Sequence, residues 1–345
     1  MKKIEVIVLL FSLLMLYSCE KQGQMEKDDP YKGKLIDGKF VLGTFYDGIF
    51  ICNHDGSAQK KIFSADTLFA YNFVQWFPKK DKILFKAENR STFMSYILIM
   101  NADGSDLKCL SKGFWDNYPV LSPDGTKIVA NITDKGVCIL DLEGSILTIL
   151  TSEYGDKASW SPDNKYIIFS AGQYKNEIKV HNSNGSEIIS TYKQNGLRSF
   201  QWSPDSKKII AINYWGDKGD ICIFNFQSLI DDKLLNDSNL IVLTHTREEN
   251  KPCFSPDGSK ITFESRRDDN EEIYVMDVDG RNQKRLLITS EFEYQPSWSS
   301  DGSKIFFYKS GNSSYNIFSI NLYGSEVNQI SNNIPSYISS YDCDL

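Results

Sequence analysis

Beyond the first forty residues, apolar and polar positions alternate in short runs rather than with a helical period. Residues 260–265 (KITFES) place Ile261 and Phe263 on one face, and 304–308 (KIFFY) repeat the pattern. Runs such as 272–277 (EIYVMD) follow after polar loops. Turn pairs separate them, at Asp55-Gly56, Asp103-Gly104, Asn184-Gly185 and Asp279-Gly280. Such pairs supply the positive φ that a tight hairpin needs. The pattern predicts an all-β chain built of hairpins.

The hairpins recur. Trp160-Ser-Pro-Asp, Trp202-Ser-Pro-Asp and Phe254-Ser-Pro-Asp-Gly share one motif with Leu121-Ser-Pro-Asp-Gly and Trp298-Ser-Ser-Asp-Gly. Residues 76–82 (WFPKKDK) are a diverged copy. The position held by Pro78, Pro123, Pro162, Pro204, Pro256 and Ser300 advances by 45, 39, 42, 52 and 44 residues. A period of about 40–45 residues is that of one four-stranded propeller blade. In each copy a short strand ends at the aromatic residue. Ser-Pro-Asp-Gly then turns the chain, proline presetting φ and glycine accepting positive φ. Two further strands and a closing one near Leu110, Leu150, Leu243 and Leu286 complete the unit. The longest step contains an insertion at 230–243.

Residues 38–63 supply strands two, three and four of a blade without its first. Residues 335–342 follow a complete last repeat, and Tyr341 falls 11 residues after Ile330. The C-terminal strand is therefore expected to complete the N-terminal blade, a closure that removes open sheet edges. The expectation is a β-propeller of seven four-stranded blades, with six as the alternative if a diverged copy is misread.

Residues 265–280, preceded by Phe254-Ser-Pro-Asp-Gly258, resemble the WD-like repeat of the TolB propeller family. The resemblance extends over about residues 36–342. It implies a propeller that contacts other envelope proteins, as TolB contacts a peptidoglycan-associated lipoprotein. TolB carries a separate α/β domain before its propeller, where this sequence has a polar stretch.

The start of the chain has another character. Lys2 and Lys3 precede an apolar run from Ile7 to Leu16, then Ser18 and Cys19. This is a secretory signal, with an apolar core too short to span a bilayer. Leu16-Tyr17-Ser18-Cys19 resembles a bacterial lipobox, which implies cleavage after residue 18 and lipidation of Cys19 by palmitate-type chains. Residues 19–35 then form the lipidated cysteine and a flexible tether, and 36–345 a single domain. Glu20 after the cysteine favours the outer membrane, on its periplasmic or its outer side. Membrane contact is expected through the lipid alone.

The net charge is −7. Loss of residues 1–18 removes Lys2, Lys3 and Glu5, leaving the remainder more acidic still. That balance argues against nucleic-acid binding. The recurrent serines Ser122, Ser161, Ser203 and Ser255 read as turn residues rather than nucleophiles. His54, His181 and His245 fall in different repeats, so no metal site, cofactor or catalytic residue is assigned. Cys52, Cys109, Cys138, Cys222 and Cys253 read as free thiols, and Cys52–Cys343 is the one disulfide pairing to check. Trp76, Trp160, Trp202 and Trp298 read as core residues, one per blade.

Connectors between blades share one face of a propeller with the loops between strands two and three. That face carries Phe114, Trp115, Asp116, Tyr118, Tyr154, Trp215, Arg247, Arg267, Asp268, Phe292 and Tyr294. Aromatic and arginine side chains are enriched in interface hot spots, so this is the candidate binding face. Its partner is expected to be an envelope protein. Capture of a surface glycan or peptide, with Trp115, Trp215 and Tyr294 stacking on sugar rings, is the alternative. A propeller lyase or hydrolase is the third reading.

Overall fold

The computed structural model describes residues 39–343 apart from 45–47, 65–68, 115–116, 173–176, 194–195, 215–217, 233–238, 311–314 and 332–337. The described strands pair antiparallel throughout and fall into groups of four. Five groups are separate sheets. The sixth sheet is two groups joined only where Gly219 meets Glu249. Numbered along the chain as blades, the seven groups have first strands at Ile338–Cys343, Phe69–Trp76, Asn117–Leu121, Ser159–Trp160, Leu197–Trp202, Glu249–Phe254 and Glu293–Trp298. From blade one through blade seven the first strands of successive blades touch, which makes them the inner ring. Among the described residues the strands thus form seven groups of four, two of them within one sheet.

The middle strands of each blade are apolar almost throughout, because both faces of the sheet are covered. In blade six Ile261, Phe263, Tyr274 and Met276 pack toward blade five, while Ile273 and Val275 pack toward blade seven. The same division repeats around the molecule. Seven apolar clusters are present among the described residues, and each draws on two adjacent blades. The cluster of Phe40, Leu42, Phe50, Phe306 and Ile317 joins blade one to blade seven. The C-terminal strand pairs with Lys39–Thr44, setting Tyr341 opposite Leu42, so both chain ends build blade one as expected.

Two contacts recur at the blade boundaries. The first uses the tryptophan that ends an inner strand. The indole N–H of Trp160 donates to the Val120 carbonyl at 3.3 Å, that of Trp202 to Ser159 at 3.2 Å, and that of Trp298 to Cys253 at 3.2 Å. Each bond reaches the inner strand of the preceding blade. The second uses the hairpin glycine between strands three and four, seated on the outer strand of the preceding blade. A Cβ on Gly104 (φ +89°) would stand 2.0 Å from the Ile62 carbonyl oxygen, and one on Gly144 2.4 Å from that of Leu110. Gly324 meets Leu286 in the same way, and Gly56 meets Ile330 across the ring closure. The outer-strand leucines anticipated from the repeat thus have a definite structural role, since their backbone receives the next blade.

Blade five departs from the rule. Its third strand, Gly219–Asn225, leads directly into helix α1 (Phe226–Asp232). Phe226 and Leu229 enter the core between blades four and five, where Phe226 packs edge-on against Trp202. The insertion therefore fills space that a hairpin occupies in other blades.

The serines of the Ser-Pro-Asp turns are buried, as a turn role requires. Ser255 donates to Asp257 at 2.6 Å and accepts the Lys260 amide at 2.9 Å. Ser299 does the same with Asp301 and Lys304, at 2.6 and 2.9 Å. Hydrogen bonds from Ser299 and then Ser303 hold the Asp301 carboxyl down at about 2. The candidate disulfide is overturned. Cys52 and Cys343 both pair with Phe40, from opposite sides of its strand. Two inter-strand steps separate them by roughly 10 Å, where a bridge needs less than about 7 Å. Cys52 is a buried free thiol, and burial pushes its pKa up to about 12.

Three outcomes test this account. Trp298→Ala should lower unfolding free energy by about 3–5 kcal/mol in a denaturant titration. Gly104→Ala should cost more than the ~1–2 kcal/mol of a left-handed alanine, because the Ile62 carbonyl must also move. Asp301 contributes stability that is present above its ordinary range near 3.8 and lost as pH falls toward about 2. Ser299→Ala should therefore shift the acid unfolding midpoint upward.

Candidate binding site at the inner ring

The inner strands are not regular. In blades two, three, five, six and seven their register slips by an extra residue. Phe73, Tyr118, Ser199, Lys251 and Gln295 there adopt positive φ. Each lies three residues before the side chain that ends its strand: Trp76, Leu121, Trp202, Phe254 or Trp298. Such bulges bend a strand and free an amide from the ladder. Side chains of the preceding blade bond amides that the neighbouring strand exposes. The Glu264 carboxyl accepts the Gln295 amide at 2.6 Å, and Gln75 and Gln201 accept those of Leu121 and Phe254. Asn131 both donates to and accepts from the backbone of Gly155.

The bulge residues Ser199, Lys251 and Gln295 are exposed, as is Lys157 at the matching position of blade four. Phe73 and Tyr118 pack edge to face, with centroids 5.5 Å apart. Burial pushes the Cys253 thiol of blade six up, and the charge on Lys157 of blade four opposes that rise.

Three successive blades build one polar cluster. The Tyr214 hydroxyl donates to Asn250 Oδ1 at 3.0 Å and lies 3.1 Å from Ser199 Oγ. The Arg198 guanidinium sits 5.9 Å from the centre of the Tyr214 ring and 3.8 Å from Asp156. Asp156 also accepts from Ser170 at 2.9 Å. Burial, with Asp156 adding to it, raises the phenols of Tyr118 and Tyr214. Both phenols stay neutral near pH 7, and the cluster offers a hydroxyl, a guanidinium, an amide and a carboxylate side by side.

A second polar network lies between blades five, six and seven. Arg267 bonds Glu249 at 2.7 Å, Ser265 at 2.8 Å and Gln283 at 2.7 Å, and its guanidinium lies 4.6 Å from the Tyr274 ring centre. Asp268 accepts from Tyr274 and lies 3.6 Å from Arg285, which also pairs with Glu272. Arg266 and Lys218 both pair with Glu271, at 2.6 and 3.3 Å. Glu249, Glu272 and Glu293 are fully buried.

The residues expected on the binding face therefore separate. Phe114, Tyr154 and Phe292 are exposed. Phe292 and Tyr294 stack, 6.2 Å apart and 18° from parallel, with Tyr294 partly packed on the core between blades one and seven. Tyr118 turns into the inner ring. Arg247 is exposed, and its amide bonds Asp220 at 2.9 Å. Arg267 is held within the polar network, and Asp268 bonds Tyr274 at its exposed edge. Trp115, Asp116 and Trp215 lie outside the described residues, as does Cys19. Arg198, Ser199, Tyr214, Asn250 and Lys251 escape a reading based on connector loops. Their signal was repeat phase: Asp156, Arg198, Asn250 and Tyr294 all stand four residues before the strand-ending aromatic.

The architecture defines the class: a β-propeller with a polar inner ring. Residues 185–341 match the family described as the TolB beta propeller domain. The chain is a β-propeller, and those residues are TolB-like in sequence. Its fold is similar to that of TolB from Acinetobacter baumannii, at 16% identity and TM-score 0.53, covering 89% of this chain and 80% of that one. It is also similar to an oligogalacturonate lyase from Vibrio parahaemolyticus, at 13% identity and TM-score 0.58, covering 85% and 86%. The C-terminal WD40 domain of Sif2 aligns at 13% identity and TM-score 0.57, covering 89% and 83%. No curated protein matches the sequence.

The division between face and network is testable by unfolding. Arg267→Ala strands the buried carboxylate of Glu249 and should cost about 3–5 kcal/mol. Phe292→Ala, at an exposed ring, should cost less than about 1 kcal/mol. Equal losses in the two variants would show that Arg267 is a rim residue after all.

Proposed function

We propose that this protein is a non-catalytic binding scaffold, held in the cell envelope by lipid on Cys19, whose inner-ring face docks an envelope protein. The observation that carries the reading is the cluster of Asp156, Arg198, Ser199, Tyr214 and Asn250, drawn from three successive blades on the ring that also bears the Phe292–Tyr294 stack. Arginine and tyrosine amid hydrogen-bonding groups are typical of interface hot spots. Tyr118, Tyr214 and Cys253 are all pushed toward their neutral forms, the opposite of the shift that activates a nucleophile.

The test is cross-linking capture from intact cells with the full lipoprotein, beside an Arg198→Ala/Tyr294→Ala double variant of unchanged expression. The expected result is an envelope protein recovered with the native chain and lost with the variant. Recovery of the same protein with both would move the partner to another face. If neither captures protein above background while purified chain binds envelope glycan, the glycan alternative takes its place. Cys19→Ala should abolish palmitate labelling and move the protein from the membrane to the soluble fraction.

A further inference from the structure

The loop between strands two and three of blade two, residues 90–94, carries an exposed ring on a strained backbone. Phe93 has φ +56° and is 66% exposed. For a bulky L residue this left-handed region is unfavourable. The two other loops of this kind that are described in full place aspartates there, Asp134 in blade three at +61° and Asp269 in blade six at +80°. Aspartate and asparagine tolerate the region far better. Asn89, which is buried, holds the loop in shape. Its side chain accepts the Ser91 amide at 3.0 Å and the Thr92 amide at 2.9 Å. Its carbonyl accepts the Phe93 amide at 2.7 Å, and its own amide donates to the Met94 carbonyl at 2.8 Å. Met94 packs on the core between blades one and two.

The core does not offset the strain at Phe93, which belongs to none of the seven apolar clusters of the described residues. Strain kept at a residue that faces water points to a role outside the fold. A second ring stands at the same end of the blade. Gly113 pairs with Ser95, and Phe114 follows Gly113 with 56% of its surface exposed. The two phenylalanines thus lie at one end of adjacent strands. That end belongs to the face that bears the Phe292–Tyr294 stack, two blades further round the ring.

Charge decides what the two rings can meet. Lys112 is exposed, and its ammonium lies 5.8 Å from the centre of the Tyr96 ring, with no carboxylate partner among the described residues. Arg90 is exposed as well. Among the described residues at this end of blade two the one carboxylate is Glu88, which Lys86 holds at 2.8 Å. The whole chain has a net charge of −7, so this end is locally of the opposite sign. Rings held rigidly beside cations suit an apolar cleft rimmed by acids.

We propose that Phe93 and Phe114 anchor a partner protein that offers them an apolar cleft, with carboxylates at its rim for Lys112 and Arg90. This deepens the docking proposed above and rests on it. The partner then spans the face from blade seven to blade two, and the strain at Phe93 is kept for the sake of the complex.

Two measurements test the anchor. The first is a denaturant titration of the purified full chain. Phe93→Asn, which suits the left-handed region, should raise the folding equilibrium constant about three- to tenfold. A loss of stability would make Phe93 a packing residue of the fold and overturn the anchor. The second is photocross-linking in intact cells, with benzoylphenylalanine in place of Phe93, of Tyr294 or of Tyr323, the last an exposed hairpin residue at the opposite end of its blade. The expected result is one partner protein linked from positions 93 and 294 and not from 323, through a segment whose apolar residues are flanked by Asp or Glu. Phe93→Asn combined with Phe114→Ala should cut the yield from position 294 about fivefold or more. An adduct from 294 with none from 93, or an unchanged yield in the double variant, overturns the anchor and leaves the docking reading standing. A lipid, a second copy of this chain or a basic segment linked at 93 also overturns it. An adduct from 93 without one from 294 upholds the anchor and moves the docking off the inner ring. If no position links a protein, the docking reading fails and the anchor with it.

Discussion

A four-stranded sheet with two apolar faces cannot be stable alone. Every blade of this protein depends on being covered from both sides by its neighbours. The covering is specific as well as apolar. A tryptophan N–H bonds the preceding inner strand, and a hairpin glycine rests on the preceding outer strand. These contacts lie at the inner and outer edges of the blade and fix its angle. An array so built would expose apolar surface at both ends. Closure through the C-terminal strand removes those ends, and the Phe40–Phe306 contact seals the last interface.

Closure also shapes the site. Inner strands crowd around an axis, and the bulges bend them there at the same phase of each repeat. Amides freed by the bends would be costly if left without partners. The polar side chains behind them, Glu264, Gln75, Gln201 and Asn131, are therefore structural requirements of the ring. The side chains at the bulges carry no such burden and vary from blade to blade: Phe73, Tyr118, Ser199, Lys251 and Gln295. A repeat that is braced behind the bend and varied before it can hold one architecture while presenting a distinct surface.

Blades five to seven bear most of the described buried charge. Their polar pairs cross from blade to blade: Lys218 reaches Glu271, while Glu264 accepts the Gln295 amide. Apolar packing is nondirectional, whereas these pairs require one register. Arg267 illustrates how position overrides residue type. In the sequence it belongs to an aromatic and arginine-rich face, yet in the fold it neutralises a carboxylate with no exposure to water.

The sequence by itself determined the strand order within each blade, the turn chemistry, the core tryptophans and the return of the last strand to the first sheet. All of these follow from local rules: alternation of period two, the φ preferences of Pro, Asp and Gly, and a repeat length set by one blade. Tertiary structure alone decided which polar residues meet. Asp156, Arg198, Tyr214 and Asn250 belong to three blades and are far apart in the chain, and only the curvature of the ring brings them together. It also decided that Cys52 and Cys343 flank Phe40 instead of bonding, since strand register separates what blade membership had paired. Local propensity is written in each residue and its neighbours. The convergence of distant side chains depends on how the blades pack, and no short stretch of sequence contains that geometry.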